Sequence, residues 1–196
     1  MVISLNFIHI LLLFVALGFN LSATMTIEGS MLSKVNIKNL LVISLGISAI
    51  QVGALFIGSL ITDAITASTL FQRLSISPDT LTKASISILA IIGVVVLLRS
   101  FNEKTIEERR QKDFNNTRLL RFAVLKSING LLVGSALAIM GVNLTDVLWI
   151  VVIINVISTI IGIYIGYWFG YEMKNMATRI SGIIILVVSI NLVLIV

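Results

Sequence analysis

Four groups of polar residues stand at helical spacing inside otherwise apolar runs: Asn20 and Thr24; Ser44, Ser48 and Gln51; Lys126 and Asn129; and Asn155, Ser158 and Thr159. Intervals of three, four and seven residues put the members of each group on one face of a helix. Amide and hydroxyl oxygens gathered in this way could replace the hydration shell of a hard ion, or hydrogen-bond a polar solute. Taken singly, each residue could instead only tie helix to helix, at about 0.6 kcal/mol per bond. Taken together they point to one shared cavity, and the residues expected to line its pathway are Asn20, Thr24, Ser48, Gln51, Asn129, Asn155 and Ser158. No acid–base or nucleophile–base pair falls inside an apolar run, so the chain is not expected to be an enzyme. The glycines follow helix-packing spacing and not that of a phosphate loop, and no cofactor is expected. The absence of cysteine excludes disulfides, thiolate metal sites and thiol catalysis.

The elements that must position these residues are set by composition. Hydrophobic residues make up 58% of the chain, charged residues 12%, and the mean hydropathy is +1.10. The apolar residues are gathered in blocks of roughly 20, long enough to cross ~30 Å of hydrocarbon at 1.5 Å per residue. The blocks run from about Ile3 to Ile27, Ile37 to Thr62, Leu81 to Phe101, Leu119 to Met140, Val147 to Gly170 and Ala177 to Val196. The expected fold is an all-α integral membrane protein of six transmembrane helices. The opening run lacks the basic start and the short apolar region of a signal peptide, and is read as a retained helix. No Asp or Glu falls well inside an expected span; Asp63 and Asp146 stand at span ends.

Charge location sets the expected orientation. One side receives Lys34, Lys38, Arg99, Lys104, Arg109, Arg110, Lys112, Arg118, Arg121, Lys174 and Arg179, the other only Arg73 and Lys83. The positive-inside rule makes the first side cytoplasmic and, with an even helix count, leaves both termini outside a multi-pass protein of the cell membrane. The charged segment 102–118 reads as a solvated cytoplasmic connector, since Glu103, Glu107, Glu108 and Asp113 offset its bases. Nucleic acid is not an expected partner; the lipid bilayer and a small ion or solute are.

The chain also repeats itself. "VNIKNLLVISLGISAIQVGALFIG" at Val35–Gly58 matches "VNLTDVLWIVVIINVISTIIGIYIG" at Val142–Gly166, so that Ser48 falls on Asn155 and Gln51 on Ser158; extended backward, Asn20 falls on Asn129. Residues 1–101 and 119–196 then form two three-helix repeats of one membrane domain. Because each repeat holds an odd number of helices, the second is inverted, an organisation in which the substrate site lies between the halves near the midplane. Gly130 with Gly134, and Gly162 with Gly166 and Gly170, read as small-residue ladders for close helix packing, with Gly93 and Gly182 isolated. His9 reads as an interfacial residue, and Trp149, Tyr164, Tyr167, Trp168 and Tyr171 as an interfacial belt. Lys126 admits two readings: an ammonium that snorkels to the cytoplasmic interface, or one that points inward toward Asn129 and substitutes for a cation.

The strings "GFNLSATM", "AIQVG" and "SINGLLVG" resemble the MntP-type manganese efflux pumps, six-helix bacterial membrane proteins grouped with the LysE-like exporters. That family carries an Asp in its first and fourth helices, in patterns like "SMDAFAAS" and "SLDAMAVG", and a Glu in its second. Here the three acids appear as the amides Asn20, Gln51 and Asn129. The resemblance implies a secondary transporter that exports a cation, Mn²⁺, across the cytoplasmic membrane, with Asn20, Gln51 and Asn129 as the metal-contacting positions. An amide keeps the shape and an oxygen of the carboxylate while removing its charge. The alternatives are a relative that moves a different small solute, and a non-transporting membrane scaffold of a stress or sporulation setting.

Overall fold

A computed structural model describes residues 7–68, 77–102, 116–170 and 173–195. They form six helices: α1 (Phe7–Ser30), α2 (Ile37–Ala67), α3 (Pro78–Asn102), α4 (Asn116–Ile139), α5 (Leu144–Phe169) and α6 (Met173–Ile195). Five are long and apolar enough to cross a membrane, and the fourth, α4, carries an apolar stretch at Ser127–Ile139. The charged connector expected at 102–118 lies largely outside the described residues.

Helix ends follow local chemistry. The side chains of Asn36 and Asn143 cap α2 and α5 in the same way, accepting from the backbone N–H two residues on, Lys38 at 3.1 Å and Thr145 at 3.2 Å. The chain's one proline opens α3 just after Ser77, whose hydroxyl accepts from the Thr80 N–H at 3.3 Å. α4 ends in a Schellman turn: the N–H of Val142 donates to the Leu137 carbonyl at 3.0 Å and that of Gly141 to Ala138 at 2.9 Å, with Gly141 at φ 73°. Asn143 caps α5 at once, and the helix begins at Leu144, three residues before the apolar block at Val147. Gly170, expected to extend the packing ladder of α5, instead ends that helix at φ 76°. A left-handed backbone conformation is what only glycine adopts freely.

The closest neighbours are α1 with α5, α2 with α4, and α3 with α6; α1 also packs on α6, α2 on α5, and α3 on α4. α1 is the most enclosed, with every residue from Asn20 to Gly29 buried. α1 continues past the expected end of its span at Ile27 to Ser30, and Glu28, in its last turn, is 5% exposed. The continuation is held where Gly29 meets the Ile163 carbonyl of α5 so closely that a Cβ would strike it. Polar ties join other pairs: Ser181 donates to the Ala16 carbonyl at 2.8 Å, Ser135 to the Gly58 carbonyl at 3.0 Å, and His9 Nε2 pairs with Asn191 Oδ1 at 2.9 Å. Arg179 donates to Ser100 at 3.3 Å and lies over the Phe101 ring. Large apolar side chains such as Val42, Ile61, Ile91, Ile153 and Leu194 are exposed, as a lipid-facing surface requires. So are Trp149 and Trp168, while Tyr164 is half-buried, edge-on to Trp168; Tyr171 lies outside the described residues.

Candidate functional site: a polar layer between two apolar clusters

The buried apolar residues separate into two clusters. The larger takes Leu13, Phe14 and Leu17 from α1, Leu55 from α2, Val133 and Leu137 from α4 and Val147 and Val151 from α5, together with α3 and α6. The smaller takes Leu21 and Met25 from α1, Leu40 and Ile47 from α2, Ala123 from α4 and Ile163 from α5. On all four central helices the polar residues fall in sequence between the two sets. Asn20 lies between Leu17 and Leu21, Ser48 and Gln51 between Ile47 and Leu55, Asn129 between Ala123 and Val133, and Asn155, Ser158 and Thr159 between Val151 and Ile163. The bundle thus carries a polar layer about halfway along its length, sealed at each end by hydrocarbon.

The polar residues in and beside the layer are not equivalent; Thr24 and Ser44 fall within the stretches of α1 and α2 that supply the smaller cluster. Asn20 is 4% exposed, and Thr24, one turn on, returns its hydroxyl to the Asn20 carbonyl at 3.2 Å. Ser44 is satisfied within its own helix by the Leu41 carbonyl at 2.9 Å. By contrast Ser48 Oγ, Thr159 Oγ1 and the Nδ2 atoms of Asn129 and Asn155 are buried with no hydrogen-bond partner. A buried polar atom left unpaired costs about 1–3 kcal/mol, so such groups are retained where they have work to do. Thr159, fully buried, was not among the residues expected to line the pathway; its signal was the four-residue interval from Asn155.

Gln51 and Ser158 do something different. The Gln51 Oε1 stands 2.7 Å from where a Cβ on Gly130 of α4 would lie, and Ser158 Oγ stands 2.5 Å from the same point on Gly18 of α1. Each uses a glycine as the floor for its polar atom. Ser158 is half-buried and also lines an outward-opening, apolar groove of about 220 Å³ with Phe19, Ile154 and Ile157, so it belongs to the edge of the layer. The Lys126 side chain lies outside the described residues, and both readings of it stand as they were.

The donor set is made of amides and hydroxyls. Among the described residues no three His, Cys, Asp or Glu side chains come together as a metal ligand group. Such a layer gathers amide and hydroxyl oxygens about halfway along the bundle without a concentrated negative charge. Three described acids lie outside it: Glu28, inside the bundle near the end of α1, Asp63, exposed beside a cavity of about 340 Å³ that Ser59, Asn143 and Thr145 share at the far end of α2, and Asp146, exposed in the first turn of α5.

The family model described as Putative manganese efflux pump (Mntp) matches residues 34–193, leaving α1 outside the match. No curated protein and no solved structure matches the chain. The match takes in α2 to α5 and nearly all of α6, hence three of the four helices that build the polar layer, and the chain is therefore a member of the manganese efflux pump family of multi-pass membrane transporters.

Proposed function

We propose that this protein is a secondary transporter that exports a cation, Mn²⁺ by its family, across the cytoplasmic membrane through the polar layer. The observation that carries the reading is the layer itself, where three helices contribute buried Ser48, Asn129, Asn155 and Thr159 atoms that have no partner among the described residues. Alternating access follows if two inverted three-helix halves rock about this layer, opening one apolar cluster at a time. Helix pairing supports the two halves. Exchanging α1, α2 and α3 for α4, α5 and α6 turns the α1–α5 pair into the α2–α4 pair and returns α3–α6 to itself. The matched caps at Asn36 and Asn143, and the aligned Gln51 and Ser158 each set against a glycine of the other half, agree with it. In this reading the smaller apolar cluster faces the cytoplasm, the side favoured by the distribution of Lys and Arg.

The test is manganese content in a manganese-sensitive host. Cells expressing the protein should hold less Mn²⁺ than controls, and Asn155→Leu should abolish the difference while leaving the protein folded, because it replaces an unpaired buried amide with an apolar side chain of similar volume. Equal Mn²⁺ with and without the protein counts against the reading. The neutral chemistry of the layer favours a second reading, a polar solute other than a metal; retained tolerance to another solute with no change in metal content would select it.

A further inference from the structure

A divalent cation crossing a low-dielectric interior needs compensating charge as well as oxygen ligands, because desolvating an ion costs several kcal/mol even after relaxation. The polar layer supplies the oxygens only. Of the three carboxylates among the described side chains, Asp63 and Asp146 are exposed at the ends of their helices, whereas Glu28 is 5% exposed within α1. Its place on that helix is specific. Asn20, Thr24 and Glu28 follow one another at intervals of four and lie on one face. α5 covers a different face, through Gly18, Ser22 and Gly29. The face that carries Asn20 and Glu28 also carries Leu17 and Leu21, which enter the two apolar clusters, and so turns toward the interior of the bundle. Glu28 thus stands at the end of a polar stripe that runs from the layer past the smaller apolar cluster, about 12 Å along the helix axis from Asn20.

From this geometry we infer that Glu28 is the cation-binding carboxylate of the pathway: it takes a divalent metal ion at the end of α1, with oxygen partners, and passes it to the layer at Asn20. The inference rests on the transport reading above and adds the charge that reading lacks. Opposite charge is at hand for the cation-free state. The antiparallel register fixed by His9 with Asn191 and Ala16 with Ser181 brings Lys174, 6% exposed on α6, level with the last two turns of α1. A lysine at this level offers the carboxylate a counter-charge that a metal ion can replace.

The experiment is Mn²⁺ binding to the purified full chain, followed by loss of the free-ion electron paramagnetic resonance signal, alongside Mn²⁺ flux in vesicles. Glu28→Gln, nearly isosteric, should weaken binding about tenfold or more, the scale of a lost contact to a charged group. Glu28→Asp, which keeps the charge, should bind close to the unmodified protein and so show that the loss in Glu28→Gln is one of charge. Equal Mn²⁺ binding by the unmodified protein and Glu28→Gln overturns the inference, as does no binding by the unmodified protein. The two readings separate cleanly: binding that depends on Glu28 without vesicle flux removes transport and keeps the site, whereas flux with binding indifferent to Glu28 removes the site and keeps transport.

Discussion

Where α1 crosses α5, Gly29 and Gly166 each sit so close to the facing backbone that a Cβ would strike a carbonyl, of Ile163 and Thr26 respectively; where α2 crosses α4, Gly58 and Gly134 do the same against Leu131 and Leu55. The two crossings share a packing device and differ in what surrounds them. α1 is walled in over the whole of Asn20–Gly29, with α5 on one side and α6 on another, whereas α4 keeps Val124, Ile128 and Leu132 exposed. Asn20 is consequently 4% exposed and Asn129 half-buried, though the sequence sets them in register. Matching backbone geometry therefore does not give matching dielectric surroundings, and the cost of placing charge must differ between the two crossings.

The largest expected effect tests what the crossings share. Gly166→Leu and Gly134→Leu should each cost more than about 3 kcal/mol, beyond the usual range for overpacking, and yield little monodisperse protein. Gly53→Ala, where a Cβ would meet nothing within 4 Å, should be neutral or slightly stabilising by melting temperature. A marked difference between Gly166→Leu and Gly134→Leu would break the equivalence of the crossings.

Next comes the test of their difference. Asn20→Asp should destabilise by about 2.5–3.5 kcal/mol, the cost of a charge at the centre of a membrane helix. Asn129→Asp should cost clearly more, because its half-buried position halfway along α4, beside the exposed Ile128 and Leu132, borders lipid, which offers a carboxylate neither water nor a partner. Equal losses in thermal unfolding would show that exposure does not separate the two sites.

Smaller effects sharpen the picture further. Asn36→Ala and Asn143→Ala each remove one side-chain cap and should cost about 1 kcal/mol apiece; protease sensitivity of the 30–37 and 140–144 turns would report the fraying. Ser135→Ala and Ser181→Ala, each deleting one interhelical bond to a backbone carbonyl, should cost about 0.6 kcal/mol each by thermal unfolding.

The sites of these predictions were legible to different degrees. Asn20, Ser48, Gln51, Asn129 and Asn155 stood out because a polar residue in a long apolar run is visible without any knowledge of its neighbours. Thr159 carried a weaker signal, as threonine is common in membrane helices and often bonds its own backbone, which Thr24 and Thr62 do here. Glu28 was obscured by the habit of ending a span at its first charge; the interval of four that links it to Asn20 and Thr24 was present but lay across that boundary. Gly170 read as one more rung of a glycine ladder, since the spacing of glycines does not distinguish a packing contact from a left-handed helix end.

The amino-acid sequence by itself determined the membrane class, six helices and the position of the polar residues along them. These depend on local quantities: the length of an apolar run against the thickness of a bilayer, the helical period, and caps within a few residues of the helix they start. Tertiary structure alone decided that α1 pairs with α5 and α2 with α4, that the apolar core divides into two clusters around the polar layer, and that Glu28 is enclosed while Asp63 and Asp146 are not. Those outcomes depend on which backbones can approach across glycines far apart in sequence, and on how many neighbours then close around each helix, neither of which any single segment encodes.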